Sequence, residues 1–302
     1  MTTASPRSTS WQRALPYLAL LAGILALSFS ALFVRWAQAP GTVTSFYRMA
    51  IAALALAPVV FAPPASLAQR RPVFPRGRLW LWPVLSGLFT ALDHATWSTA
   101  LGFTQVANAT LLNNMAPLWV ALFSWWVLRE RLRRGFWLGL ALTLAGAAVV
   151  LGSDLLLHPS LSGGNFLALF SSLFYASYFL ATQRGRRYTA TLVYVWLVCL
   201  GSAFFLLIIN LISGQALTGY TSQTYLAFLG SALISQIIGY FSVGYALGHL
   251  PASLVSPTMI AQPVLTALLA IVLVGEALAP GQWLGGLTVL AGIYLVNRSR
   301  EA

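Results

Sequence analysis

The chain has 302 residues, of which 59% are hydrophobic and only 7% charged, and its mean hydropathy is +0.79. No soluble surface accommodates that composition, so the bilayer is the solvent for most of this chain. The net charge of +12 comes from arginines that lie, with few exceptions, in loops between apolar runs. The aromatic–basic interleaving of a nucleic-acid binder is missing, which excludes that partner class.

Breaks at Pro, Gly and charge divide the chain into ten apolar helices, at 14–37, 41–62, 79–101, 106–128, 136–153, 165–183, 190–213, 222–246, 252–274 and 281–297. The N-terminus imitates a secretory signal, with Arg7 and Arg13 ahead of an apolar stretch and Ala37-Gln38-Ala39 behind it. The stretch from Ala14 to Ala37 exceeds the roughly 7–15 residues of a signal core and reads as a first span. Residues 62–78, rich in Pro and Arg, read as a surface linker, and 154–164 as the connection between two halves. Neither is long enough for a soluble domain. The lone Cys199 lies in an apolar run, so no intramolecular disulfide is available.

An even number of spans puts both termini on one side. With that side cytoplasmic, 15 of the 17 basic residues fall inside, among them Arg129, Arg131, Arg133 and Arg134 in one short loop. Shifted by 146 residues, the middle of the chain lands on its end without a gap. Pro117 meets Pro263, Glu130 meets Glu276, and Gly135-x-Trp137-x-Gly139 meets Gly281-x-Trp283-x-Gly285. The arginines around Glu130 have no counterpart around Glu276, where Gly275, Ala277, Ala279 and Pro280 stand. One element therefore faces in and its copy faces out, as five spans per repeat require. The expected fold is an all-α integral membrane protein of ten transmembrane helices in two inverted five-helix repeats. Its parts are a cytoplasmic tail over 1–13, a first repeat over 14–153, an extracytoplasmic connection over 154–164, a second repeat over 165–297 and a cytoplasmic tail over 298–302.

Four stretches carry a family likeness: Phe46-Tyr47-Arg48-Met49, Ala107-Asn108-Ala109, the block from Pro117 to Glu130-x-Leu132, and its copy from Pro263 to Glu276-x-Leu278. In order and topology the chain resembles the drug/metabolite transporter superfamily, in its EamA-type branch of ten-helix carriers. The resemblance implies a monomer or loose homodimer in the cytoplasmic (inner) membrane, with a central cavity and export of small metabolites, often amino acids, or of drug-like solutes. One departure is that the repeat mate of Arg48 is Tyr194, so that charge exists in one half only.

Substrate sites in such folds lie where helices are interrupted near the midplane. Pro117 and Pro263 fall near the middle of spans four and nine, and each lacks the N–H that would engage the carbonyl four residues earlier, those of Asn113 and Met259. Asn113, Asn114 and Gln262 add amides beside these kinks. Asp93 and Arg48, with His94 adjacent, are the charges within the spans. Counting about 1.5 Å per residue puts Arg48 about 10 Å below the outer boundary and Asp93 about 9 Å below it in a ~30 Å core. That common depth predicts a charge pair or a coupling site, the sharper reading being that Asp93 takes a proton or a substrate ammonium. Trp97 shares the His94 face, Tyr175 shares one with Tyr178, and Gln236 shares one with Tyr240, which gives a cavity wall suited to a flat or cationic solute. Ordinary interior packing accounts for the same residues if no cavity exists.

Glu130 and Glu276 stand at span ends and read as structural or gating. The glycine pairs 135/139 and 281/285 allow close helix approach, as a spine or a dimer face. No phosphate loop, metal cluster or nucleophile with a positioned base is visible, so neither an enzyme nor a cofactor is expected, and no metal. The first expectation is a secondary carrier for small metabolites, amino acids foremost. A multidrug or organic-cation exporter comes second, and a membrane scaffold or an intramembrane enzyme ranks below both.

Overall fold

The computed structural model describes residues 10–62, 73–104, 106–151, 163–274 and 279–301. Among them every regular element is a helix, as an apolar chain in lipid requires, because a helix satisfies its own backbone polar groups. Glu276 and most of the 154–164 connection lie outside the described residues.

Helices α1 (Ser10–Ser28) and α2 (Ser30–Ala37) follow one another. Gln38 then turns left-handed at φ 46°, and Pro40 caps α3 (Gly41–Phe61). After a short 3₁₀ turn come α4 (Leu81–Ala100), α5 (Val106–Asn113), α6 (Ala116–Trp126) and α7 (Arg134–Leu151). The second half holds α8 (Gly163–Arg186), α9 (Thr191–Ile212), α10 (Ser222–Gly230), a π-helical stretch Ser231–Tyr240 and α11 (Phe241–Leu247). It ends with α12 (Ala252–Thr258), α13 (Ala261–Val274) and α14 (Pro280–Glu301).

Seven helical stretches among the described residues are long and apolar enough to cross a membrane: Ala14–Ala37, Gly41–Phe61, Arg134–Leu151, Gly163–Arg186, Thr191–Ile212, Ser222–Leu247 and Ala252–Leu269. The sequence predicts ten. Of the other three, α4 is diluted by Ser86, Thr90, Asp93 and His94, and the fourth predicted span is divided into α5 and α6 by a turn at Asn114–Met115.

That turn has a counterpart at Met259–Ile260, between α12 and α13, within one residue of the 146-residue spacing. Pro117 sits in the first turn of α6 and Pro263 in the first turn of α13, where a missing N–H is cheapest. The two interruptions differ in one respect from expectation. The Met259 carbonyl is not left free, because the Gln262 N–H reaches it at 2.9 Å through a tighter i→i+3 turn.

Helices α7 and α14 pack along their length on glycine. A Cβ on Gly139 would lie 2.8 Å from the Gly292 carbonyl oxygen, and one on Gly146 would lie 2.7 Å from that of Gly285. As the numbers rise along α7 they fall along α14, so the two run antiparallel. The glycines in use are seven apart, whereas Gly281 meets nothing and Gly135 meets only the Ser299 side chain. Seven residues bring a position back to the same face after two turns, so contact extends over more of the helix than spacing four supplies.

The other contacts also come in shifted pairs. α4 packs on α8 and α9, while the π-helical stretch and α11, which stand 146 residues after α4, pack on α1 and α3. The core between the halves is built from Leu20, Ile24 and Leu27 of α1, Tyr178 and Phe179 of α8, and Val243 and Leu247 of α11.

Candidate functional site

On α4, Ser86, Thr90 and Asp93 are spaced four and three apart and lie on one helix face. On α8, Ser171, Tyr175, Tyr178 and Thr182 repeat the same spacing. The two faces meet in a buried polar seam between the halves. Asn113, at the end of α5, closes one part of it: its Nδ2 donates to Asp93 Oδ1 at 2.8 Å and to Ser171 Oγ at 2.9 Å. A carboxylate only accepts, so the amide nitrogen must be the atom that faces it. At the other end Tyr194 Oη shares a 2.6 Å hydrogen bond with Ser86 Oγ, which is 3.2 Å from Thr182 Oγ1.

Arg48 is 4% exposed and projects from α3 to where α2, α4 and the π-helical stretch converge. Its Nη2 lies 2.6 Å from His94 Nε2, and Nη1 donates to Ser30 Oγ at 3.3 Å. The guanidinium has no acceptor, so Nε2 of His94 supplies a lone pair and its ring proton belongs on Nδ1. The Tyr240 ring centroid is 5.6 Å from the Arg48 Cζ atom. The direct Arg48–Asp93 pair expected from common depth is not formed. Neighbours on a helix point about 100° apart, so Asp93 turns to α5 and α8 while His94 turns to α3 and takes the guanidinium.

The aromatic residues assemble beside these groups. Tyr175 and Tyr178 stack at 6.3 Å and 13°, and Tyr178 meets Tyr240 edge-on at 5.8 Å. Gln236, buried in the π-helical stretch, donates Nε2 to Cys199 Sγ at 3.4 Å and leaves its Oε1 without a partner. Thr90, Tyr178, Thr182, Tyr194, Gln236 and Tyr240 line a narrow void with room for about one water molecule.

Other predicted residues lie apart from this cluster. Gln262 Nε2 donates to the Leu27 carbonyl at 3.1 Å and fastens α13 to α1, with Pro263 beside it. Trp97 packs with Ala100, Ala109 and Ala168 farther along α4. Pro117 is buried at the head of α6, and Asn114 is half-buried in the turn before it. Glu130 Oε2 accepts from Ser253 Oγ at 2.6 Å, which attaches the end of the fourth predicted span to α12.

Ser86, Thr90, Ser171, Thr182 and Tyr194 belong to the seam and Ser30 to the Arg48 contacts, and none of them is a predicted site residue. The serines and threonines are recognisable only by their spacing of four and three on α4 and α8. That pattern looks like ordinary small-residue packing until the facing helix is known.

The EamA-like transporter family model matches the chain twice, over residues 14–152 and again over 162–298. The chain belongs to the EamA-like transporter family. Among its EamA-like relatives, the uncharacterized transporter YwfM of Bacillus subtilis is 27% identical over 72% of this chain and 74% of its own length. The probable terminal-alkyne amino-acid exporter of Streptantibioticus cattleyicolor is 28% identical over 84% and 83%. The probable amino-acid metabolite efflux pump of Salmonella typhimurium is 29% identical over 56% and 60%. A solved chain described as "Crystal structure of protein" superposes with a TM-score of 0.77 at 22% identity, covering 95% of this chain and 99% of that one, and shows the same fold. The protein is thus a multi-pass membrane transporter and not an enzyme.

Proposed function

We propose that the protein is a secondary carrier exporting small metabolites, amino acids foremost, across the cytoplasmic membrane by alternating access. The observation that carries this reading is the buried polar seam between α4 and α8. There Asn113 bridges Asp93 to Ser171, and on the neighbouring face of α4 Arg48 is held by His94 and Ser30, so the two charges are not held by each other. Buried charge in lipid is costly and marks a solute or ion path more often than a packing contact.

Two inverted five-helix repeats, 14–153 and 165–297, supply the moving parts in this reading. It draws support from the antiparallel glycine contact of α7 with α14, from the paired interhelical contacts and from the two matches of the family model. The arginine bias supports a cytoplasmic location for both termini. The names of the Streptantibioticus and Salmonella relatives favour amino acids and export. The void in the seam admits about one water, so a solute passes only when the halves part.

The purified chain in proteoliposomes, given a panel of labelled amino acids and organic cations with and without a pH gradient, tests the proposal. Saturable flux that unlabelled substrate competes away is expected. Folded protein that moves no solute ends the carrier reading.

A further inference from the structure

Resting on the carrier reading, we infer that Arg48 is the anchor for a carboxylate on the transported molecule. The substrates are then zwitterionic α-amino acids, and organic cations are excluded. A guanidinium carries five N–H donors in a fixed fork. Here Nη2 goes to a histidine lone pair, Nη1 makes a long 3.3 Å bond to Ser30 Oγ, and Nε is buried with no partner. No carboxylate lies within ion-pair distance of it among the described residues, although the side chain is 4% exposed. A purely structural buried arginine is expected to be paired, because an uncompensated buried charge is expensive. Asp93, one position from His94, is the obvious counter-ion, yet Asn113 holds it toward α8 instead. The site therefore keeps a cation with no carboxylate in contact, and fixes its orientation through His94 and the face of Tyr240.

Asp93 supplies the complement. One of its oxygens takes the Asn113 amide, and the other serves an ammonium group. An α-amino acid presents a carboxylate and an ammonium two bonds from a common carbon, and its side chain then meets Tyr175, Tyr178 and Tyr240. An organic cation satisfies Asp93 and the rings but brings a second positive charge to Arg48, a like-charge contact that the site penalises.

The test uses the full chain in proteoliposomes with labelled L-phenylalanine, competed by L-phenylalanine, L-phenylalaninamide and phenethylamine. The wild type should prefer the free acid to either carboxylate-free analogue by at least about tenfold. In Arg48→Gln the KM for phenylalanine should rise at least about tenfold and the preference for the acid should disappear. Arg48→Lys, which keeps the charge and loses the fork, should fall between. An unchanged acid-to-amide ratio in Arg48→Gln overturns the proposal, as does a wild type that favours phenethylamine. Should Arg48→Gln not fold, the wild-type ratio and Arg48→Lys decide the matter. Absence of flux for every solute defeats the carrier reading instead. In that event thermal stabilisation of the detergent-solubilised protein by phenylalanine, and not by its amide, still upholds Arg48 as a carboxylate site, and equal response to both overturns it.

Discussion

Arg48 and Tyr194 occupy equivalent places, 146 residues apart, and the fold gives them different work. Tyr194 is fully buried and ties α9 to Ser86 of α4, with the Trp82 and Ala181 carbonyls within 3.3 Å of its hydroxyl. Removing that hydroxyl leaves Ser86 only its 3.2 Å contact with Thr182 and unties α9 from α4, so Tyr194→Phe should cost about 1–3 kcal/mol of stability in a denaturation series in detergent. Asp93 belongs to the other kind. Asp93→Asn keeps a side-chain oxygen for the Asn113 amide, so the fold should survive, while the loss of charge should lower transport at least about tenfold. Full transport by a folded Asp93→Asn carrier would remove Asp93 from the path. Asp93, His94 and Arg48 were legible because charge is so rare within this chain's apolar runs. Their partners were not, because depth along a helix says nothing about which of two adjacent residues faces which neighbour.

At the scale of the element, Pro, Gly and Arg punctuate the chain strongly enough that α3, α8 and α9 begin and end within three residues of their predicted bounds. The π-helical stretch Ser231–Tyr240 left no such mark, since its residues read as one more apolar run. A π turn holds its backbone by i→i+5 bonds and is frequent at functional sites, and this one carries Gln236 and Tyr240. The glycines of spans five and ten are contact points, but the sequence shows a repeat of four where the structure uses a repeat of seven. Two substitutions separate these. A Cβ on Gly292 would lie 2.7 Å from the Gly139 carbonyl oxygen with backbone crowding it, whereas Gly281 meets nothing. Gly292→Ala should therefore force α7 and α14 apart and cost about 1–3 kcal/mol, read as a lower Tm in detergent. Gly281→Ala should leave the Tm where it was. Equal effects of the two would mean that close approach of these helices contributes little.

The whole molecule depends on how its two halves lie in the membrane. Composition made the bilayer legible, and the self-match at 146 residues made the duplication legible. The sense of each half came from arginine placement, a property of loops that packing does not dictate. The proposed opposite sense of the halves draws support from the antiparallel run of α7 against α14, because equivalent helices in same-sense repeats would run parallel. Arg133 and Ala279 allow a direct check. They are repeat mates, both are exposed, and each stands ahead of its helix, α7 and α14. In a Cys199→Ala background, which removes the native thiol, single cysteines are placed at the two positions in turn. In intact cells a membrane-impermeant maleimide should label Ala279→Cys and leave Arg133→Cys untouched until the membrane is opened. The neighbouring Arg129, Arg131 and Arg134 keep the charge bias that orients the loop, so the substitution itself should not invert the protein. Labelling of both cysteines from the same side would make the halves parallel. Alternating access between inverted repeats would then have no structural basis, even if Arg48 and Asp93 still bound a solute.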